Sequence, residues 1–187
     1  QRQMCIRDRE YLLEFSSQTP VPIGNAYLTP ETLGRDRLAA AVGATVLYPG
    51  RNVLIVDFGT AVTIDLVTAD ATFRGGCISP GMKTRFRALH DYTAALPLCG
   101  PAEDERLQGL ATEDAVRLGV MNSLTFEIEG YIARMREKID DLCVIFTGGD
   151  AKYFAKRIKN TIFANCNLVF CGLDRILEYN ASEEHLD

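Results

Sequence analysis

Residues 53–65 read VLIVDFGTAVTID: an apolar, β-branched run, then Asp57, Gly59 and Thr60, then a second apolar run. Apolar runs of this length, bounded by glycine, indicate buried strands. Glycine lets a ligand approach the backbone, threonine donates a hydrogen bond and aspartate holds a cation, so the bend between the strands suits a phosphate with a metal ion. An ordinary hairpin turn is the alternative interpretation.

Further strands are predicted near residues 72–78, 142–146 and 168–170. Helices are predicted from Thr29, over 82–90, from Thr112 to about Met135, over 151–158 and over 173–179. Strands that alternate with helices indicate the α/β class. Because short turns join the first three strands, we expect a mixed sheet with flanking helices.

Composition excludes several classes of function. The chain of 187 residues carries a net charge of −5, with a pI near 5.1, which argues against nucleic acid or an anionic membrane as the main partner. No apolar stretch approaches the roughly 18 residues of a membrane span, and no secretory signal is recognisable. The six cysteines form no Cys-x-x-Cys pair, so free thiols in a reducing cytoplasm are expected.

Two more glycine turns adjoin predicted strands, one at Gly75 and Gly76 and one at Gly148 and Gly149. Ligands of α/β sheets collect at strand ends, where loops of this kind converge. Each pair alone is typical of a tight turn, but three such turns in one chain favour nucleotide binding.

Asp36 lies between Arg35 and Arg37, just after Gly34. The flanking cations would hold this carboxylate ionised, poised to take a proton from a substrate hydroxyl, and either arginine could meet an anion. A solvated helix face is the alternative interpretation.

These segments, in this order, resemble the type III pantothenate kinases, a family of the acetate kinase/hsp70/actin-like superfamily. The matching text is YLTPETLGRDR at 27–37, DFGTAVTID at 57–65, GGCISPG at 75–81, YTAALP at 92–97, TEDA at 112–115 and TGGDA at 147–151. The resemblance covers roughly residues 20–180. It implies a ribonuclease H-like (actin-like ATPase) fold, of which the second of two duplicated domains is largely complete.

The resemblance also implies an activity. Members of the family transfer the γ-phosphate of ATP to the hydroxyl of pantothenate, the first step of coenzyme A synthesis. They require Mg²⁺ and a monovalent cation, K⁺ or NH₄⁺, and act as cytoplasmic homodimers. Phosphoryl transfer depends on positioning and charge neutralisation, which a carboxylate, a cation and a glycine turn provide.

Site residues follow from the matched motifs. Asp36 is the expected proton acceptor, and Asp57 the expected ligand of the monovalent cation. The expected pantothenate site comprises Tyr27, Gly34, Arg35, Asp36, Arg37 and Thr112, and the expected nucleotide site Gly59, Thr60, Gly148 and Gly149.

One departure concerns the amino terminus. The family opens with a strand and an Asp-x-Gly-Asn-Thr-like phosphate loop, and nothing similar precedes Tyr27. The sequence therefore predicts an amino-terminally truncated kinase, in which residues 1–10 are a non-native leader. Residues 11–50 would be the remainder of the first domain, with the acceptor-site helix, and 51–187 the second domain. Such a chain is expected to bind ATP weakly or not at all.

Two other functions remain open: a superfamily kinase with a different acceptor, and a catalytically impaired fragment or scaffold homologue. A dimer interface on the helix from Thr112 is a further hypothesis, since apolar residues recur there at helical spacing. They are Val116, Val120, Leu124 and Ile128. The alternative is that these side chains belong to the core.

Overall fold

A computed structural model describes residues 12–104, 106–158 and 163–183. The segment 1–10, interpreted above as a leader, lies outside the described residues. Within these ranges the strands are β1 Gly24–Asn25, β2 Val53–Phe58, β3 Ala61–Thr68, β4 Thr72–Pro80, β5 Cys143–Thr147 and β6 Phe163–Ala164. The α-helices are α1 Arg35–Leu47, α2 Met82–Asp91, α3 Thr112–Arg136, α4 Ala151–Arg157 and α5 Leu168–Glu183, and a 3₁₀ helix spans Pro30–Thr32.

The strands form one mixed sheet in the order β1-β4-β3-β2-β5-β6. Short turns join β2, β3 and β4, which therefore pair antiparallel, whereas β2–β5, β5–β6 and β1–β4 are parallel. The predicted α/β fold with a mixed sheet is confirmed. The parallel pairing of β2 with β5 brings the carboxyl ends of both central strands to the same edge of the sheet.

Helices cover the sheet on both faces because the central strands bury side chains on both sides. On one face Leu54, Val56 and Phe58 of β2 pack with side chains of α2, α3 and α4. On the other face Val53 and Ile55 pack with α1 and with Leu168 of α5. Helix α1 therefore lies on the sheet formed by the later strands, directly against α5.

The predicted strand at 168–170 is wrong, because these residues form the first turn of α5. Three apolar residues are too few to separate a strand from a buried helix by periodicity. Tertiary packing decides the matter: Leu168 is fully buried, and its carbonyl lies so near Gly43 of α1 that a Cβ there would come within 2.3 Å of it.

The predicted helix starts also need correction. After Thr29 the chain makes only the 3₁₀ turn, Leu33 and Gly34 return to extended ψ values of 126° and 129°, and α1 begins at Arg35. Helix α3 begins at Thr112 itself, after Ala111 in an extended conformation, and no side-chain cap bond is made there. In both places backbone geometry, rather than a threonine cap, sets the helix boundary.

The apolar residues proposed for a dimer interface on α3 are core residues. Val116, Val120, Leu124 and Ile128 are at most 6% exposed and belong to the cluster beneath α2, α3 and α4. A surface for a second copy would have to use other side chains.

In the described part of the chain, no helix is both long enough and apolar enough to cross a bilayer. The five described cysteines, Cys77, Cys99, Cys143, Cys166 and Cys171, are free thiols.

Candidate active site

Two of the three glycine turns are in contact at the carboxyl edge of the sheet. Asp57 of β2 lies opposite Thr147 of β5, and Gly148 follows directly. A Cβ on Gly148 would lie 2.3 Å from Asp57 Oδ1, and Gly148 has a φ of +89°. Because this conformation strains L side chains and the space is filled by the carboxylate, only glycine fits.

The third predicted turn, at Gly75 and Gly76, is wrong, because both residues lie within β4 and Gly76 pairs with Asp65 of β3. The glycine that adjoins this edge of the sheet is Gly81, which precedes α2. The backbone N–H of Gly81, at the start of α2, donates to the Thr60 carbonyl (2.9 Å), and Thr84 Oγ1 donates to the same oxygen (2.7 Å). Gly59 donates its own N–H to the Ala61 carbonyl (3.1 Å), which closes the tight turn. Gly59 and Thr60 are both exposed, so a ligand can reach the turn from solvent.

Asp36 lies in the first turn of α1, on the face of the sheet that also carries Asp57. Its side chain is exposed, and Oδ1 accepts a hydrogen bond from the Arg37 backbone N–H (2.9 Å). Among the described residues no ion pair involves Asp36. The carboxylate is thus accessible and not neutralised by a neighbouring cation.

Asp57 is a partly buried carboxylate in a negatively charged environment. Burial raises its pKa, and the nearby charges of Asp36 and Asp65 raise it further. A bound cation would relieve both effects, so the donor set fits one. Over the described ranges no group of three or more His, Cys, Asp or Glu side chains is arranged to hold a metal. The other ligands of a cation at Asp57 would therefore be hydroxyls, carbonyls or the substrate.

Arg37 does not face solvent, contrary to what a phosphate-binding arginine requires. It is 6% exposed and forms a buried ion pair with Asp65 of β3. Sequence reasoning missed Asp65. The available signal was an aspartate inside an otherwise apolar strand, where a buried charge requires a partner. Arg35, in contrast, is exposed and free to meet a ligand.

Tyr27 lies beside the same ion pair. Its ring centroid is 5.6 Å from the Arg37 guanidinium carbon, and its edge packs on Gly75, where a Cβ would come within 3.3 Å. The structure therefore brings Tyr27, Gly34 and Arg37 together around Asp36 and β4.

Thr112 lies elsewhere. It lines a cleft of about 780 Å³ between α2 and α3, together with Arg85, Leu89 and Val116. That cleft is on the face of the sheet opposite α1 and Asp36. A single chain does not bring Thr112 to Asp36.

A second cleft, of about 570 Å³, adjoins Gly149. Its lining carries three cations, Lys152, Lys156 and Arg157, and one acid, Glu103. The excess of positive charge suits an anionic ligand that extends from the glycine turn. The lysines were missed because they look like an ordinary solvated helix face in the sequence.

The family model that matches this chain is described as type III pantothenate kinase, and it covers residues 2–134. The match begins within the segment interpreted as a leader.

Similar proteins carry the same name. The type III pantothenate kinase of Phocaeicola vulgatus is 47% identical over 169 residues, which are 90% of this chain and 70% of that protein. That of Christiangramia forsetii is 44% identical over 172 residues, 92% of this chain and 71% of that protein.

Solved structures support the fold alone. A protein of Campylobacter jejuni, described as a conserved Baf family transcriptional activator, superposes with a TM-score of 0.60 at 24% identity, covering 86% of this chain and 69% of that one. A protein of Sinorhizobium meliloti, described as a 2-dehydro-3-deoxygalactonokinase, superposes with a TM-score of 0.56 at 14% identity. The superposition covers 76% of this chain and 58% of that one. These two proteins share the fold of this chain, and on the sequence matches the chain belongs to the type III pantothenate kinase family.

Proposed function

We propose that this protein transfers the γ-phosphoryl group of ATP to the hydroxyl of pantothenate, the first step of coenzyme A biosynthesis. Family membership supports the reaction and the acceptor. The observation that carries the assignment to this edge of the sheet is the placement of Asp36 and Asp57. The carboxylate of Asp36 is exposed and makes no ion pair among the described residues, whereas that of Asp57 is partly buried against the Gly148 turn. The two are near enough for the charge of Asp36 to raise the pKa of Asp57.

Asp36 is the proposed general base. A base must reach the hydroxyl that it deprotonates, and an exposed carboxylate without an ion pair meets that condition. Gly34, Arg35 and Tyr27 form the proposed acceptor side around it, and Arg37 lies behind them with its guanidinium paired to Asp65.

Gly59, Thr60, Gly148 and Gly149 form the proposed nucleotide side. The backbone at Gly149 is exposed and open to a ligand, since nothing lies within 4 Å of a Cβ placed there, and Gly148 packs against Asp57 and holds the turn in place. The basic cleft beside Gly149 would extend this surface along the nucleotide. In phosphoryl transfer such positioning and charge neutralisation supply most of the catalysis.

Two cations belong to the proposal. Mg²⁺ would accompany ATP, and K⁺ or NH₄⁺ would bind at Asp57, whose pKa is raised by burial and by the nearby carboxylates of Asp36 and Asp65. When bound, these ions neutralise phosphate charge; the chain itself contributes the Asp57 carboxylate and the orientation of the turn.

A cytoplasmic homodimer completes the proposal. Thr112 and Asp36 lie on opposite faces of the sheet, so a second copy is the route by which Thr112 would reach the acceptor. The free thiols fit a reducing compartment.

The test is the release of ADP by the purified chain with pantothenate, with K⁺ or with choline at equal ionic strength. Asp36→Asn is the test variant. Asp70→Asn is its matched control, because it neutralises an exposed carboxylate at the distant β3–β4 turn. We expect turnover that requires K⁺, persists in D70N and is lost in D36N.

Turnover in D36N equal to that of wild type would contradict the role of the base. Phosphorylation of 2-dehydro-3-deoxygalactonate in preference to pantothenate would identify a kinase with a different acceptor. Absence of turnover with either acceptor would favour the impaired fragment or scaffold.

A further inference from the structure

Arg37 and Asp65 form the best-defined polar contact near the proposed acceptor. Arg37 Nε lies 3.1 Å from both carboxylate oxygens, and Nη2 lies 2.5 Å from Oδ1. The two residues are 28 positions apart and are only 6% and 1% exposed. A forked contact of this kind fixes the plane of the guanidinium as well as its position.

Three residues, Tyr27, Phe73 and Gly76, pack around this ion pair. The rings of Tyr27 and Phe73 flank the guanidinium, with centroids 5.6 and 5.8 Å from its central carbon. On β4 the residue opposite Asp65 is Gly76, where a Cβ would come within 2.3 Å of Asp65 Oδ1. The absence of a side chain at Gly76 leaves the carboxylate the room that it needs beneath α1.

Asp36 depends on this arrangement because it precedes Arg37 directly. The Arg37 N–H holds Asp36 Oδ1, and a Cβ on Gly34 would come within 2.6 Å of the same oxygen. The ion pair holds the Arg37 side chain between α1 and the sheet, and it therefore also fixes the first turn of α1. It also directs the Arg37 charge to Asp65, so that Asp36 stays unpaired.

We infer that Asp65 is a positioning residue for the transfer reaction: by binding Arg37 it fixes the first turn of α1 and keeps the Asp36 carboxylate open to the acceptor hydroxyl. The inference rests on the proposed function for the role of Asp36. The Arg37–Asp65 pair itself is a structural relationship that can be tested without turnover.

The first test compares Asp65→Asn with Val67→Ala by NMR of the ¹⁵N-labelled chain. Val67 is fully buried on the same face of β3, so its truncation destabilises the core without removing a charge. We expect D65N to shift the amide signals of Asp36 and Leu38 and to speed hydrogen exchange at Leu38, whose N–H donates to the Gly34 carbonyl. V67A should leave these signals near their wild-type positions.

The kinetic readout separates positioning from general loss of stability. With the acceptor misplaced, D65N should lower kcat by roughly 10- to 100-fold while the KM for ATP stays at the wild-type value. V67A should keep the wild-type kcat, when activity is divided by the concentration of folded protein, and the wild-type KM for ATP. Unchanged Asp36 and Leu38 amide signals in D65N would overturn the inference, as would an unchanged kcat.

A second variant covers the case in which D65N does not fold. R37M/D65L removes both charges, so that no buried charge is left unpaired. We expect this variant to fold and to show faster hydrogen exchange at Leu38, as in D65N; a wild-type exchange rate there would overturn the inference. A wild-type chain without turnover, together with faster Leu38 exchange in D65N, would contradict the proposed function and leave the positioning of α1 by Asp65 supported.

Discussion

Gly148 lies against the carboxylate of Asp57, so closely that a Cβ at position 148 would lie 2.3 Å from Oδ1. It would also come within 2.7 Å of the backbone N and O of Phe58. The turn after β5 and the turn after β2 therefore form a single unit, and its geometry depends on a residue without a side chain.

Gly148→Ala is expected to destabilise the fold by roughly 1–3 kcal/mol, because it adds a clash to a positive φ. Chemical denaturation measures the loss. Gly149→Ala is the matched control, since nothing lies within 4 Å of its Cβ. Equal stability of the two variants would contradict the close contact with Asp57.

Asp57→Asn is expected to raise the melting temperature at pH 7–8 in the absence of added cations. Burial raises the pKa of Asp57 in the folded state, so above that pKa the charged form destabilises the fold. As pH falls through the raised pKa towards the unfolded value, the folded protein takes up a proton first. The advantage of D57N should therefore shrink as pH falls, which thermal melts across this range would show.

Asp70→Asn is expected to change the stability at pH 7–8 in the opposite direction. The Thr68 hydroxyl lowers the pKa of Asp70, so its carboxylate contributes stability above the unfolded pKa that is lost as pH falls. At pH 7–8 this exposed site should give a small loss. If D57N also loses stability at pH 7–8, the negative environment assigned to Asp57 is contradicted.

Gly172→Ala is expected to destabilise the protein by about 1–3 kcal/mol or more, as overpacking does. A Cβ there would lie within 2 Å of the Ala39 carbonyl of α1, and Gly43 faces α5 in the same way. Gly130→Ala, at an open position of α3, should instead stabilise by about 0.5–1 kcal/mol. Denaturant midpoints compare the two; a neutral G172A would contradict the close helix crossing.

Arg157→Ala is expected to loosen the segment before α3. Arg157 Nη1 donates to the Asp104 carbonyl (2.9 Å) and to the Tyr153 hydroxyl (2.8 Å), and Nη2 donates to Asn122 Oδ1 (3.0 Å). Hydrogen bonds from a charged group are the stronger kind, so their loss should speed local opening by on the order of tenfold.

Thermolysin cleavage near the exposed Leu107 and Leu110 measures that opening. Lys156→Ala, a neighbouring cation at an exposed position of the same helix, is the control. Equal cleavage rates for the two variants would show that Arg157 does not hold the segment.

The strands around the site could be predicted because their signal is local. Residues 53–58 and 61–68 are apolar runs separated by a glycine turn, and they form β2 and β3 with those bounds. The order of the short motifs along the chain also identified the family, because each motif combines distinctive residues within a few positions. Asp36 and Asp57 were assigned to the site from the same motifs, and their roles stay predictions.

Contacts between distant segments could not be predicted. The pairing of Arg37 with Asp65 joins residues 28 positions apart, and no pattern within either segment specifies the partner. Residues 168–170 were misassigned because their helical state depends on Gly43 and Gly172, which let α1 and α5 approach.

The sequence by itself determined the α/β class, the glycine turns at Gly59 and Gly148, and the family, because apolar periodicity and short motifs act over a few residues. Only the tertiary structure decided that Arg37 is a buried partner of Asp65, that Val116 and its neighbours on α3 are core, and that Thr112 lies across the sheet from Asp36. The physical reason is that burial and pairing depend on which surfaces meet, and that is set by the packing of helices on both faces of the sheet.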